Sequence, residues 1–250
     1  MAYLASLDPS KPRFCLCDVL FVDRTDTVRA RLAAGLFERC AEWNGYGRAL
    51  YPWTCGLSVG SAPPRDIHSI SKLTALMAGA DRLAILPRYF TRPAECFELE
   101  DLDRYDLAVA LDSGILDEIR SAVMAEYPPG ADRDYYLQRV CLLTTFSHYE
   151  SDARVCLLTT FSHYESDAVL TRRGGFALLP AQLSGLLKTG AGGLQASKAI
   201  IDIPTPDLSA PDGATQWEAV VAALTLSTAS LVKYLIDAYP ENMPHYDPVD

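Results

Sequence analysis

Apolar residues along this chain fall into short clusters set apart by polar turns, and their spacing alternates between two periods. Val19-Leu20-Phe21-Val22, preceded by Phe14-Cys15-Leu16-Cys17, is a continuous apolar run, the pattern of a strand buried on both faces in a parallel sheet. Polar residues from Asp23 to Thr27 follow. Leu32, Ala33, Leu36, Phe37 and Cys40 then recur at three- and four-residue spacings, which predicts a helix. Strand, loop and helix in that order open a βαβ unit. Further on, residues 53–59 predict a strand, 67–77 a helix and 82–86 a strand. Residues 105–111 predict a further buried strand, and 113–126 a helix stopped by Pro128-Pro129. Near the end, Thr215 and Glu218 have the T-x-x-E spacing of a capping box. Trp217, Val220, Val221, Leu224, Leu231 and Leu235 then mark one apolar face of a final helix that packs on the sheet. The expected fold class is α/β: a doubly wound, three-layer arrangement around a parallel sheet of about four strands.

One stretch breaks this alternation. RVCLLTTFSHYESDA occupies residues 139–153 and recurs without change at 154–168. Repeat architectures use longer units that drift between copies, so an identical pair reads as a recent duplication or an error in the underlying gene sequence. Two identical copies cannot share one niche. Residues 172–200 are Gly-rich around an apolar stretch that includes Phe176, Leu178 and Leu179. The expected organisation is one domain over 1–250, with 139–200 as a duplicated and Gly-rich insertion whose Phe176, Leu178 and Leu179 offer a surface for a partner.

Composition narrows the function classes. A formal net charge of −10 disfavours nucleic acid and anionic membranes, which need a basic surface. No apolar run reads as the roughly twenty-residue span a bilayer requires, and the N-terminus has neither a signal-peptide core nor a transit-peptide composition. Seven scattered cysteines without a C-x-x-C pair, and four histidines without metal spacing, predict reduced core thiols and no metal site. The cluster Glu98, Glu100, Asp101 and Asp103 reads as a solvated helix start.

Segment 19–37, VLFVDRTDTVRARLAAGLF, resembles the signature of the low-molecular-weight tyrosine phosphatases, in which a buried strand ends in a C-x5-R-[ST] loop that opens a helix. Other segments resemble the same family in order: Trp53-Thr54-Cys55-Gly56-Leu57-Ser58, Thr91-Arg92-Pro93, YDLAVALD at 105–112, and Ile203-Pro204-Thr205-Pro206 before the last helix. Tyr127-Pro128-Pro129-Gly130-Ala131-Asp132 is similar to the plant and algal members. The resemblance spans roughly residues 14–150 and 200–239. It implies a four-stranded parallel sheet and a loop whose N–H groups cradle phosphate, with a thiolate as nucleophile and an arginine clamping the oxygens.

The resemblance also shows what is missing. Asp23 stands at the nucleophile's position and Ala30 at that of the loop hydroxyl, while Arg29 keeps the arginine. Arg24, Thr25, Asp26, Thr27 and Val28 fill a loop that the family makes from small residues. Thr205 falls on the general acid's position, with Asp207 two residues on. These departures imply a degenerate, non-catalytic protein in which Asp23 pairs with Arg29 in place of phosphate. The expected role is a structural or regulatory subunit with a protein partner or a larger complex. No cofactor, small-molecule ligand or nucleic acid is expected. The expected location is a plastid, with the cytoplasm as the alternative. Two other readings are an enzyme that uses Asp23 in new chemistry, and a sensor that binds a phosphorylated ligand without cleaving it.

Overall fold

The computed structural model describes residues 17–47, 49–61, 89, 92–148, 202–205 and 210–238. Its centre is β1 (Cys17–Asp23), fully buried from Val19 onward because strands lie on both sides and helices cover both faces. β1 pairs in parallel with β2 (Leu50–Gly56) on one side and with β3 (Leu107–Ala110) on the other. β4 (Val140–Leu142) pairs in parallel with β3, so the order is β2-β1-β3-β4. Asp23 aligns with Gly56 and Val22 with Ala110, which brings the strand C-termini to one end, where ligands of open α/β sheets bind.

Strand alternation divides the core in two. Val19 and Phe21 face α1 (Arg29–Trp43), and Phe21 meets Phe37 edge-on at 5.5 Å. The long final helix, α5 (Gly213–Ala238), packs against α1 and brings Trp217, Val220, Leu224, Leu231 and Leu235 into the same core. Leu20 and Val22 point the other way, toward Ile115, Ile119 and Val123 of α3 (Ser113–Glu126). The short α2 (Asp101–Arg104) precedes β3, and α4 (Ala131–Arg139) leads directly into β4. The four-stranded parallel α/β expectation holds.

Four details differ from the sequence reading. β2 begins three residues before the predicted 53–59 and ends at Gly56, because an outer strand tolerates Pro52, which lacks an N–H. Val140–Leu142, assigned from sequence to the start of the insertion, is the fourth strand; its apolar VCL pairs with Ala108, Val109 and Ala110. The final helix starts at Gly213, so Thr215 lies inside its first turn. The N-cap position falls on Asp212, whose carbonyl accepts from the Gln216 N–H at 3.0 Å and whose carboxylate accepts from the Gln216 side chain at 2.9 Å. Finally, Thr215–Ile236 contains an 18-residue window of mean hydropathy 1.7, long and apolar enough by length and composition to cross a membrane, a property the sequence reading of this helix as a core element does not register. Its buried face is part of the core described above.

The predicted helix at 67–77, the strand at 82–86, the second repeat copy, Asp207 and the surface at Phe176, Leu178 and Leu179 lie outside the described residues.

Candidate functional site

The loop between β1 and α1 sits at the C-terminal end of the sheet, at the position the signature segment marks. Its backbone is held from the β2 side: the Leu57 N–H donates to Asp23 O at 3.0 Å, and the Ser58 N–H to Arg24 O at 2.8 Å. Gly56 is required where it stands. A Cβ there would lie 2.6 Å from the Asp26 nitrogen and 2.7 Å from the Thr25 carbonyl carbon, both backbone atoms.

Two buried ion pairs organise this loop. In the first, the Arg29 guanidinium lies 2.5 Å from one oxygen of Asp23, and each side chain is about 5% exposed or less. Its Nε reaches the other Asp23 oxygen at 3.4 Å. A second carboxylate, Asp112 two residues after β3, accepts from the same Nη2 at 3.1 Å, and the Ile203 carbonyl accepts from Nη1. Asp112 also caps α3 by accepting from the Ile115 N–H at 2.9 Å. The Arg24 N–H completes the Asp23 environment at 2.7 Å. Burial opposes the charge on Arg29, but the facing Asp23 and then Asp112 outweigh it, so its pKa is raised. Arg29 therefore stays cationic, with three acceptors from three different parts of the chain.

The second pair joins Asp26 and Arg31, both without solvent exposure, at 2.8 Å. Asp26 takes the left-handed backbone region, φ 48°, which Asp tolerates better than most residues. Its carboxylate accepts from the Thr54 hydroxyl at 2.6 Å and the Glu95 N–H at 3.2 Å. Arg31 donates to four main-chain carbonyls: Asp26 at 2.7 Å, Tyr89 at 2.6 Å, Arg92 at 2.9 Å and Pro93 at 3.0 Å. Arg92 in turn donates to the Thr54 hydroxyl. Buried charges persist only when paired and hydrogen-bonded this completely.

The remaining positions singled out from sequence are accounted for as follows. Arg24 leaves the loop for an exposed ion pair with Glu118 at 2.6 Å. Thr25 and Thr27 share a hydroxyl–hydroxyl bond at 2.9 Å. Val28 occupies the N-cap position of α1 without a side-chain cap, and Ala30 is fully buried in the core. Thr205 is exposed on the segment after Ile203. Cys55, beside Val22 in the sheet, is a core thiol whose pKa burial pushes far up, so it is no reserve nucleophile.

Sequence reasoning missed Arg31, Asp112, Thr54 and the Ile203 carbonyl. One signal was present: Arg31 is a lone charge followed by Leu32-Ala33-Ala34, on a face that the helical period sends inward.

An α/β sheet in the order β2-β1-β3-β4, with an Arg-bearing loop after β1, defines the low-molecular-weight tyrosine phosphatase-like fold, and solved structures agree. A protein tyrosine phosphatase from Entamoeba histolytica aligns over 89% of this chain and 98% of its own, with a TM-score of 0.52 and 11% identity. YfkJ from Bacillus subtilis aligns over 90% and 97%, with a TM-score of 0.52 and 14% identity. Identities this low establish the fold alone. No protein-family model and no curated protein matches the chain.

Proposed function

We propose that this protein uses a phosphatase fold as a non-catalytic platform, a structural or regulatory subunit that binds another protein. The observation that carries this reading is the saturation of Arg29 by Asp23, Asp112 and the Ile203 carbonyl. The guanidinium that would clamp a phosphoryl group already holds two carboxylates, so the site carries more negative than positive charge. A phosphate dianion brought to about 4 Å from the Asp23 carboxylate meets repulsion of about 4 kcal/mol per pair of unit charges at an intermediate dielectric. In addition, no thiol, loop hydroxyl or general-acid carboxylate stands at Asp23, Ala30 or Thr205. The partner expected is a protein, up to a large assembly, contacted through the segment that follows β4; a plastid is the proposed location.

Two measurements on the purified protein test this reading. Phosphorylated aryl and phosphopeptide substrates should show no turnover above buffer, and inorganic phosphate should not bind by calorimetry at millimolar concentration. Asp23→Ala, which frees one face of Arg29, should gain phosphate binding. Turnover by the native protein that disappears in Asp23→Asn would overturn the proposal and establish new chemistry at Asp23. Phosphate binding by the native protein without turnover would instead establish a phospho-ligand sensor.

A further inference from the structure

Among the described residues the exposed large apolar or aromatic side chains are Tyr51, Trp53, Met124 and Tyr135, and the first two are neighbours on one face of β2. Tyr51 aligns in register with Asp18 of β1, and Trp53 with Leu20. α3 covers this face at Leu20 and Val22, while Tyr51 and Trp53 stay 36% and 39% exposed. Trp53 is nonetheless held in place. Its indole N–H donates to Asp18 Oδ1 at 2.9 Å, and its ring lies 5.9 Å from that of Tyr105. A second carboxylate stands close by, because Asp106 accepts from the Asp18 backbone N–H at 3.0 Å. Arg139 lies 3.9 Å from Asp106, but among the described residues no cation pairs with Asp18. Burial pushes the Asp18 pKa up, the indole bond pulls it back, and the charge on Asp106 raises it again.

We propose that Tyr51, Trp53 and Tyr105, with Asp18 beside them, dock an arginine or lysine side chain from a basic segment of a partner protein. A cation is drawn both to the face of an aromatic ring and to a carboxylate, and this patch offers the two at one spot. The chain makes the same contact internally at another place, where the Arg139 guanidinium carbon lies 4.6 Å from the centre of the Tyr135 ring. Among the described residues no cation stands over Tyr51, Trp53 or Tyr105. An aromatic side chain already fixed by a hydrogen bond and a ring contact has little freedom left to lose, which suits it to anchor an interface. Charge selects the occupant. The net charge of −10 attracts a basic chain. A second copy is a poor fit, because a two-fold contact would set Asp18 and Asp106 against the same residues of its twin. The patch lies toward the N-terminal ends of β1, β2 and β3, at the pole opposite Arg29, so it acts whether or not the Arg29 loop binds phosphate.

The test titrates the full chain with an octa-arginine peptide and follows the Trp53 indole N–H by NMR, the signal being identified by its loss in Trp53→Leu. That signal should shift to saturation, and added salt should weaken the binding. An octa-glutamate peptide should leave it in place. Tyr51→Ser and Trp53→Leu keep the net charge, so diffuse attraction to an acidic protein is the same in both. Each should nevertheless weaken octa-arginine binding by about two- to fivefold, the size of an exposed cation–ring contact. Asp18→Asn keeps an acceptor for the indole and removes the charge, and should weaken it too. If Trp53→Leu does not fold, Tyr51→Ser, at an exposed position, and Asp18→Asn carry the test. Binding that is unchanged in Tyr51→Ser and Asp18→Asn would overturn the proposal, since attraction would then be diffuse. So would a Trp53 signal that shifts with protein concentration alone, which would make the occupant a second copy.

Discussion

Arg29 and Arg31 stand two residues apart on the first turn of α1, and each is neutralised by a carboxylate just upstream, Asp23 at the end of β1 and Asp26 in the loop. The pairing differs in kind. Asp23–Arg29 ties the end of β1 to the first turn of α1, while Asp26–Arg31 fastens the loop to Thr54 and to the carbonyls of Tyr89, Arg92 and Pro93. Removing one partner of a fully buried pair leaves an uncompensated charge, which costs about 3–5 kcal/mol. Arg31→Met and Asp26→Asn should each lower unfolding stability by that order in denaturant titration. Combined, they should cost less than the sum, because the second substitution removes the charge that the first strands. An additive double variant would show that the two side chains stabilise the fold independently.

Elements were legible where one pattern had one physical meaning. β1 is a continuous apolar run, and only a strand covered on both faces wants that. α3 begins at Ser113 after the Asp112 cap and stops at Glu126 before the prolines, as its punctuation predicted. In the loop, one expectation from the sequence is visible, the pairing of Asp23 with Arg29. The layer behind that pair was not legible. Ile203 reaches Arg29 from 174 residues away, and no local pattern encodes such a contact. β4 was not legible because Val140–Leu142 is only three residues long, too short to show a strand period, and stands inside the duplicated segment. The fit of loop to sheet gives a test at this scale. Gly56→Ala would force the backbone at Thr25 and Asp26 away from β2. Overpacking of that kind costs about 1–3 kcal/mol, readable as a lower denaturation midpoint with an unchanged m-value.

At the scale of the molecule, the two cores share a set of buried thiols that tie stability to alkaline pH. Burial pushes Cys40 and Cys141 from their ordinary value of 9.0 up to about 12. Above pH 9 the unfolded chain loses these protons while the folded chain keeps them. The unfolded state then binds fewer protons, and stability falls as pH rises from about 9 toward 12. Unfolding free energy should be flat with respect to these groups below pH 9 and decline above it. Cys40→Ala with Cys141→Ser should flatten that decline. An unchanged slope in that variant would assign the alkaline loss to other groups.

The bond from Arg29 to the Ile203 carbonyl also sets an order of events during synthesis. Asp23 and Arg29 emerge from the ribosome within six residues of each other, and Asp112 follows once β3 has been made. Ile203 arrives 174 residues after Arg29 and joins β3 through its own N–H to Leu111 O, just before the helix that covers the first core. β1 and α1 are thus complete long before α5, the element that shields them, leaves the exit tunnel. Until then their apolar faces stay open, the condition in which an incomplete chain is most prone to aggregate.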